Sequence, residues 1–446
     1  MSYLLSHIRM ISNDSPRAIR RTLLCIGHMR HDIVHLHRVA ERAEVSMGLQ
    51  PHFLITAPTG LKDEPRQYLA SHHLCEAEFA SADYSSLGIR NPIKRYRTYR
   101  QANLNLARLI LDTLQPAGVL ATVDACHDLL VAEATRRGIP TIYMQVALWG
   151  DRSFYRELWA DDQQATQATV GRPTLRQQVR ARIDRVVQRG YGLHNRPAWW
   201  RESSRIAVLG PYWEEILTRG GIPTQRIAVT GNPHCDQIHE IKSGRNGRWG
   251  ELYEQLRLPH GTRYLLHCRE HQARQKSLPA TVLQAGQRQI IDVLQEVCPG
   301  IPVVVKMHPR DTHEDHKFLR SIDARVIVAG DVPMIELLAQ SLLMVTTTST
   351  TQLWSTALDR PTISAFFWKG MGYWERATTF SGVERVFTPE QLRASVSRHM
   401  NDSAYQSLWR GKRQSFVNQM LVVDGHSIDR LVRLLQDPFY DQHESH

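Results

Sequence analysis

The 446-residue chain has no apolar run approaching the roughly 20 residues of a membrane span. Its opening residues, MSYLLSHIRMISNDSPRAIRR, hold too short an apolar core for a secretory signal. These two gaps lead us to expect a cytoplasmic protein. Cysteine is scarce: Cys25, Cys75, Cys126, Cys235, Cys268 and Cys298 are scattered, and no CxxC pair occurs. That argues against a disulfide framework or a cysteine-ligated metal and favours reduced, mostly buried thiols. There is no Asp-X-Asp pair, internal repeat or low-complexity tract. The histidine groups His28/His31/His35/His37 and His308/His313/His316 have spacings that would ligate a metal only with help from elsewhere, so no obligatory metal is expected.

What is present reads as a globular α/β protein. Apolar residues make up 42% and charged residues 22%, and the length suits two domains of roughly 150–200 residues. The net charge of +11 attracts polyanions. It concentrates in Arg90–Arg100 and in a segment within 152–201. There Leu175, Val179, Ile183 and Val186 or Val187 form an apolar stripe among arginines, and Trp199-Trp200 follow. Such a helix can lie on the anionic inner face of the cytoplasmic membrane as a peripheral contact, or pack between domains with its arginines solvated; both readings stay open. No nucleic-acid-binding motif accompanies the charge, so nucleic acid is not an expected partner.

Short apolar runs alternate with helical stretches, the rhythm of βαβ units in a doubly wound sheet. RTLLCI (21–26), PHFLIT (51–56), GVLATV (118–123) and TIYMQ (141–145) read as strands of a first domain. The pattern restarts at RIAVL (205–209) and RIAVT (226–230). It continues through 264–268, 302–307, 324–328, 342–345 and 361–364, and ends in helices over 391–400 and 428–435. We therefore expect an N-terminal Rossmann-like domain over 1–204, a second over 205–385, and a C-terminal helical segment over 386–446.

Two strand ends carry the chemistry. One opens into Lys306-Met307-His308-Pro309-Arg310 and the other into Thr346-Thr347-Thr348-Ser349-Thr350-Thr351. Imidazole and cations on one loop, with hydroxyls and backbone N–H groups on the other, suit a diphosphate at the carboxyl edge of a parallel sheet. Arg269 follows the strand 264–268 as a second phosphate contact. Glu336 begins the helix before the Ser/Thr loop, where it either reaches a ribose or complements the helix dipole. Asn232, in Gly231-Asn232-Pro233, shapes its turn more than it binds.

Arg226–Asp236 (RIAVTGNPHCD), Val304–Arg310 (VVKMHPR), Glu336–Pro361 and Val423–Leu434 (VDGHSIDRLVRL) resemble the C-terminal domain of GT-B glycosyltransferases. The likeness is to bacterial capsule and surface-polysaccharide enzymes, including teichoic-acid and CDP-glycerol glycerophosphotransferase-like ones. The non-hydrolysing UDP-N-acetylglucosamine 2-epimerases are structural cousins. The resemblance implies two Rossmann-like domains facing a cleft. It also implies a CMP-, CDP-, UDP- or GDP-linked sugar as co-substrate and a glycan or lipid-linked acceptor. Carried over, His308 donates to the donor phosphate, and Ser349, Thr350 and Thr348 bond its oxygens. Asp124, at a strand end, is the first choice for the base that deprotonates the acceptor. His28 and His31 on the first loop are its rivals on the acceptor side. The epimerases carry a Ser-Gly-Gly turn followed by a Glu pair. Here the turn is Ser349-Thr350-Thr351-Gln352, which counts against epimerase or hydrolase chemistry. A non-catalytic sugar-binding protein on the same fold is the remaining alternative.

Overall fold

The computed structural model describes residues 9–10, 21–56, 62–78, 92–122, 129–146, 202–245, 249–269, 280–308, 311, 313–323, 325–330, 332–347, 349–367 and 380–436. They form two units. The chain leaves the first after Pro233 and returns to it after Gly425.

The first unit is built on β1 (Arg9–Met10), β2 (Thr22–Gly27), β3 (Gln50–Ile55), β4 (Cys75–Glu78), β5 (Pro116–Ala121), β6 (Thr141–Met144), β7 (Arg205–Val208) and β8 (Ile227–Val229). They make one sheet in the order β1-β4-β3-β2-β5-β6-β7-β8, parallel throughout except for the antiparallel edge strand β1. Central strands covered on both faces must be apolar along their whole length. Leu23, Leu24, Cys25 and Ile26 accordingly are all fully buried. Helix Arg30–Met47 lays Ile33, Leu36, Val39, Ala40 and Ala43 on this sheet. It passes so near β2 that a Cβ on Gly27 would sit 2.7 Å from Ile33 Cδ1. Any larger residue would force the Ile33 and Leu36 side chains to shift.

The second unit holds β9 (Tyr264–Cys268), β10 (Val303–Lys306), β11 (Val326–Ala329), β12 (Ser341–Thr346), β13 (Thr362–Ala365) and β14 (Glu384–Val386). Its sheet is wholly parallel, in the order β11-β10-β9-β12-β13-β14. Numbered within the unit this is 3-2-1-4-5-6, with the winding reversed between β9 and β12. Unit one reverses in the same way between β2 and β5. In open sheets of this kind the ligand crevice lies at the reversal, outside the carboxyl ends of the strands.

Two expected boundaries move. β7 and β8, which open at residue 205, extend the first sheet rather than start the second: Ile142 pairs with Arg205 and Tyr143 with Ile206. The repeated strand signature told apart two strands but not two sheets. The helices at the C-terminal end also divide. Pro389–Asn401 and Ser403–Met420 stay in the second unit, whereas Ser427–Gln436 returns to the first. Leu431, Val432 and Leu435 of that last helix are buried in the first unit's core. Burying three such side chains contributes on the order of 5 kcal/mol, enough to fix the return. Arg430 reinforces it by donating twice to the Thr230 carbonyl, at 3.0 and 2.8 Å. The basic segment 152–201 lies outside the described residues.

Candidate functional site

In the second unit strand register brings the candidate residues to one edge. Lys306 pairs with Cys268 and Val345 with His267, so Arg269, Met307-His308 and Thr347 leave the sheet side by side. The reversal is cross-braced by side chains. Thr346 Oγ1 donates to the Cys268 carbonyl at 2.9 Å, and His267 Nδ1 lies 3.1 Å from the Val345 carbonyl. A carbonyl only accepts, so Nδ1 carries the proton. Burial pushes this imidazole down to about 4 and keeps it neutral.

The Ser/Thr loop rests on buried polar groups. Gln352 is fully buried, and its Nε2 donates to the Thr347 carbonyl at 2.7 Å and to Ser364 Oγ at 3.2 Å. Ser364 Oγ also bonds the Thr347 carbonyl. Thr351 N–H donates to Ser349 Oγ at 3.3 Å, while Ser349 O and Thr350 O accept from Gln352 N and Leu353 N. Neither Ser349 N–H nor Thr350 N–H has a partner among the described residues. The half-buried hydroxyls and N–H groups of Ser349 and Thr350 are thus available to an anion at the start of helix Thr351–Ala357.

His308 is half-buried, and its main chain is bonded reciprocally to Asp311. His308 N–H donates to Asp311 Oδ2 at 2.9 Å, and Asp311 N–H donates to the His308 carbonyl at 2.9 Å. Arg269 lies beneath. Its side chain is completely buried, with Nη2 2.6 Å from Asp315 Oδ1 and Nη1 3.2 Å from Asp311 Oδ2. The sequence suggested a second phosphate contact at Arg269; the structure places its guanidinium buried between two carboxylates. Burial raises the Asp311 carboxyl to about 6 despite the pull of Arg269. Glu336 sits in the first turn of helix Met334–Gln340. That helix begins beside the end of β9, where Cys268 Sγ lies 3.8 Å from Met334 Sδ. Thr348 falls outside the described residues.

The first unit's reversal is built differently. Helix Arg30–Met47 starts at Met29, which offers no capping oxygen, and buried Asp32 in its first turn reaches back to the main chain ahead of it. Its Oδ2 accepts Met29 N–H at 2.9 Å and His28 N–H at 3.1 Å. His28 Nδ1 lies 3.3 Å from Thr56 Oγ1, which is 3.3 Å from the Gly27 carbonyl. His31 is largely exposed beside Asp32, with its Nε2 3.3 Å from Oδ1. Asn232 belongs to this unit, fully buried, its Nδ2 donating to the Gln145 carbonyl at 3.4 Å in the turn it shapes. Asp124 lies outside the described residues. Sequence reasoning missed Asp32, Asp311 and Gln352. The one signal open to it was the three-residue spacing of His308 and Asp311, typical of an aspartate closing a turn on its own main chain.

No family model matches the chain, and no curated protein does. Solved structures do. The Neisseria meningitidis UDP-GlcNAc 2-epimerase bound to UDP-GlcNAc superposes with TM-score 0.61 at 13% identity, over 93% of this chain and 100% of that one. The S. aureus MnaA–UDP co-structure gives 0.59 at 11%, over 94% and 96%. The glycosyltransferase of kitacinnamycin gives 0.56 at 15%, over 94% and 100%. Likeness at this identity fixes the fold: the chain has the GT-B architecture of two Rossmann-like units.

Proposed function

We propose that the protein is a glycosyltransferase that draws on a nucleotide-activated sugar, CMP-, CDP-, UDP- or GDP-linked, to extend a bacterial surface glycan or lipid-linked acceptor. The second unit holds the donor and the first unit serves the acceptor. The observation that carries this reading is the edge of the second sheet, where His308, its main chain braced by Asp311, and the Ser349/Thr350 hydroxyls and N–H groups emerge at one topological reversal. In this reading His308 and the Ser/Thr loop meet the charge that builds on the leaving phosphate, and no metal is required. Asp124, or His28 in its place, takes the acceptor hydroxyl proton as that oxygen attacks the anomeric carbon and the bond to phosphate breaks. Glu336 reaches the ribose.

The epimerase reading has one observation behind it: epimerases are among the structural neighbours. Against it stands the turn Ser349-Thr350-Thr351-Gln352. Helix Thr351–Ala357 holds no acid, and Gln352, in its first turn, is spent on the Thr347 carbonyl and Ser364. A fully buried amide already committed to holding a loop does not move protons on a sugar.

No helix among the described residues is long and apolar enough to cross a membrane. Peripheral contact through the basic segment is part of the proposal.

The test is a thermal-shift and calorimetric screen against CMP, CDP, UDP, GDP and their sugars, repeated on His308→Ala. Stabilisation by one nucleotide that the variant loses supports a donor site in the second unit. If none stabilises the protein at millimolar concentration, the transferase reading falls. Incubating the sugar nucleotide without acceptor separates the two enzymes, because only an epimerase or hydrolase consumes it alone.

A further inference from the structure

The Arg269–Asp311–Asp315 cluster is the most completely buried charged group at the edge of the second sheet, and phosphate binding as proposed above leaves it without a direct task. We propose that Asp311 is a positioning residue for His308, coupling the main chain of the His-Pro turn to Arg269 at the end of the neighbouring strand so that the imidazole is presented to the donor phosphate in one orientation. This inference rests on the reading of His308 as a phosphate-binding residue.

The geometry gives the reason. Strand β10 ends at Lys306, and beyond it His308 is no longer held by the sheet ladder. What fixes it is Asp311. One carboxylate oxygen, Oδ2, accepts His308 N–H at 2.9 Å and also faces Arg269 Nη1 at 3.2 Å. The guanidinium is itself anchored: its backbone N–H donates to the Lys306 carbonyl at 3.1 Å, and its Nη2 meets Asp315 at 2.6 Å. Strand β9, the His308 turn and helix His313–Ile322 are therefore tied through a single buried guanidinium. A direct role for Arg269 on phosphate would need its completely buried side chain to come to the surface. Acting through Asp311 it stays where it is, and the exposed reach is left to His308.

The charged groups facing the Asp311 carboxylate are Arg269 from the end of β9 and Asp315 from helix His313–Ile322; from its own loop, His308 contributes its backbone N–H. Burial weighs more than Arg269, and the carboxyl titrates near about 6. Protonation removes the charge that holds Arg269 and slackens the tie on His308. The imidazole works in the opposite direction, since its own protonation strengthens an anion site. Comparing variants at two pH values separates the two groups.

The experiment is calorimetric titration of the full chain with UDP, the nucleotide present in one of the neighbouring structures, for wild type and Asp311→Asn at about pH 8 and about pH 5. Should the screen select another nucleotide, that one replaces UDP. The expected result is affinity roughly tenfold weaker in the variant at about pH 8, in the range for loss of a residue that orients a ligand-binding group. The penalty should shrink toward parity at about pH 5, where the wild-type carboxyl is itself protonated. A penalty equal at both pH values, or none at either, overturns the inference. A second measurement needs no ligand: hydrogen exchange at the His308 amide should be faster in Asp311→Ala, and unchanged protection overturns the inference. If wild type binds no nucleotide, the proposed function fails, while the exchange measurement still decides whether Asp311 holds His308.

Discussion

The two units reverse the winding of their sheets in the same way, yet the two reversals are finished in opposite ways. In the first, the His28 and Met29 N–H groups just before the helix after β2 are taken by Asp32, so a carboxylate of the protein sits beside the place where an external anion would bind. In the second, the N–H groups of Ser349 and Thr350 have no partner among the described residues, and the buried amide of Gln352 supports the loop from below. One reversal supplies its own anion and the other leaves room for one. Topology sets where a ligand could bind, and a few side chains decide which of two equivalent places is open. This is the physical ground on which we propose an anionic donor for the second unit and a neutral hydroxyl acceptor for the first.

That contrast can be broken most directly at His308. His308→Ala should abolish nucleotide protection in a thermal shift and slow transfer by roughly a hundred- to a thousandfold, as expected when a donor to a developing anion is removed. Retained protection would place the anion site elsewhere. Gln352→Glu tests the support beneath the open loop. It puts a carboxylate in a fully buried position with two acceptors nearby, and should cost about 3–5 kcal/mol in chemical denaturation. Asp32→Ala tests the closed reversal, where removing the cap to two N–H groups should cost about 1–3 kcal/mol. Nucleotide affinity should survive that change, and a parallel loss of affinity would break the division of labour between the units. The smallest effect is expected from Thr56→Val. Thr56 Oγ1 lies between the Gly27 carbonyl and His28 Nδ1, so losing it should cost about 1 kcal/mol or less. It should also shift the His28 tautomer, read by nitrogen chemical shifts of the ring; an unchanged ring would show that Thr56 does not set it.

Much of the fold was legible because its strands are short, continuous apolar runs that buried parallel sheets require. Tyr264–Cys268 matches its predicted bounds, and most other strands lie within two residues of theirs. Glu384–Val386 was not foreseen, and the helix Ser403–Met420 was expected only as an unbounded part of the C-terminal helical segment. The first is three residues long, and the second carries polar residues along much of its length. The boundary near 205 failed for a related reason. An apolar run states that a strand is buried, and nothing in it names the neighbour it pairs with. At the proposed site, the strand-end positions of His308, Ser349 and Thr350 were legible from residue type and spacing. Arg269 was found in the right place, but its burial between Asp311 and Asp315 could not be read, because those partners lie 42 and 46 residues away, on other elements.

By itself the sequence determined the fold class, the position of the polar strand ends and the absence of the epimerase acid pair, all of which are local properties of residue type and spacing. Tertiary structure decided which sheet each strand joined, that Ser427–Gln436 returns to the first unit, and that Asp32 closes one reversal while Ser349 and Thr350 stay open at the other. The physical reason is that pairing, burial and ion-pair formation are contacts between residues far apart in the chain. Their free energy exists only once the fold has brought those residues together.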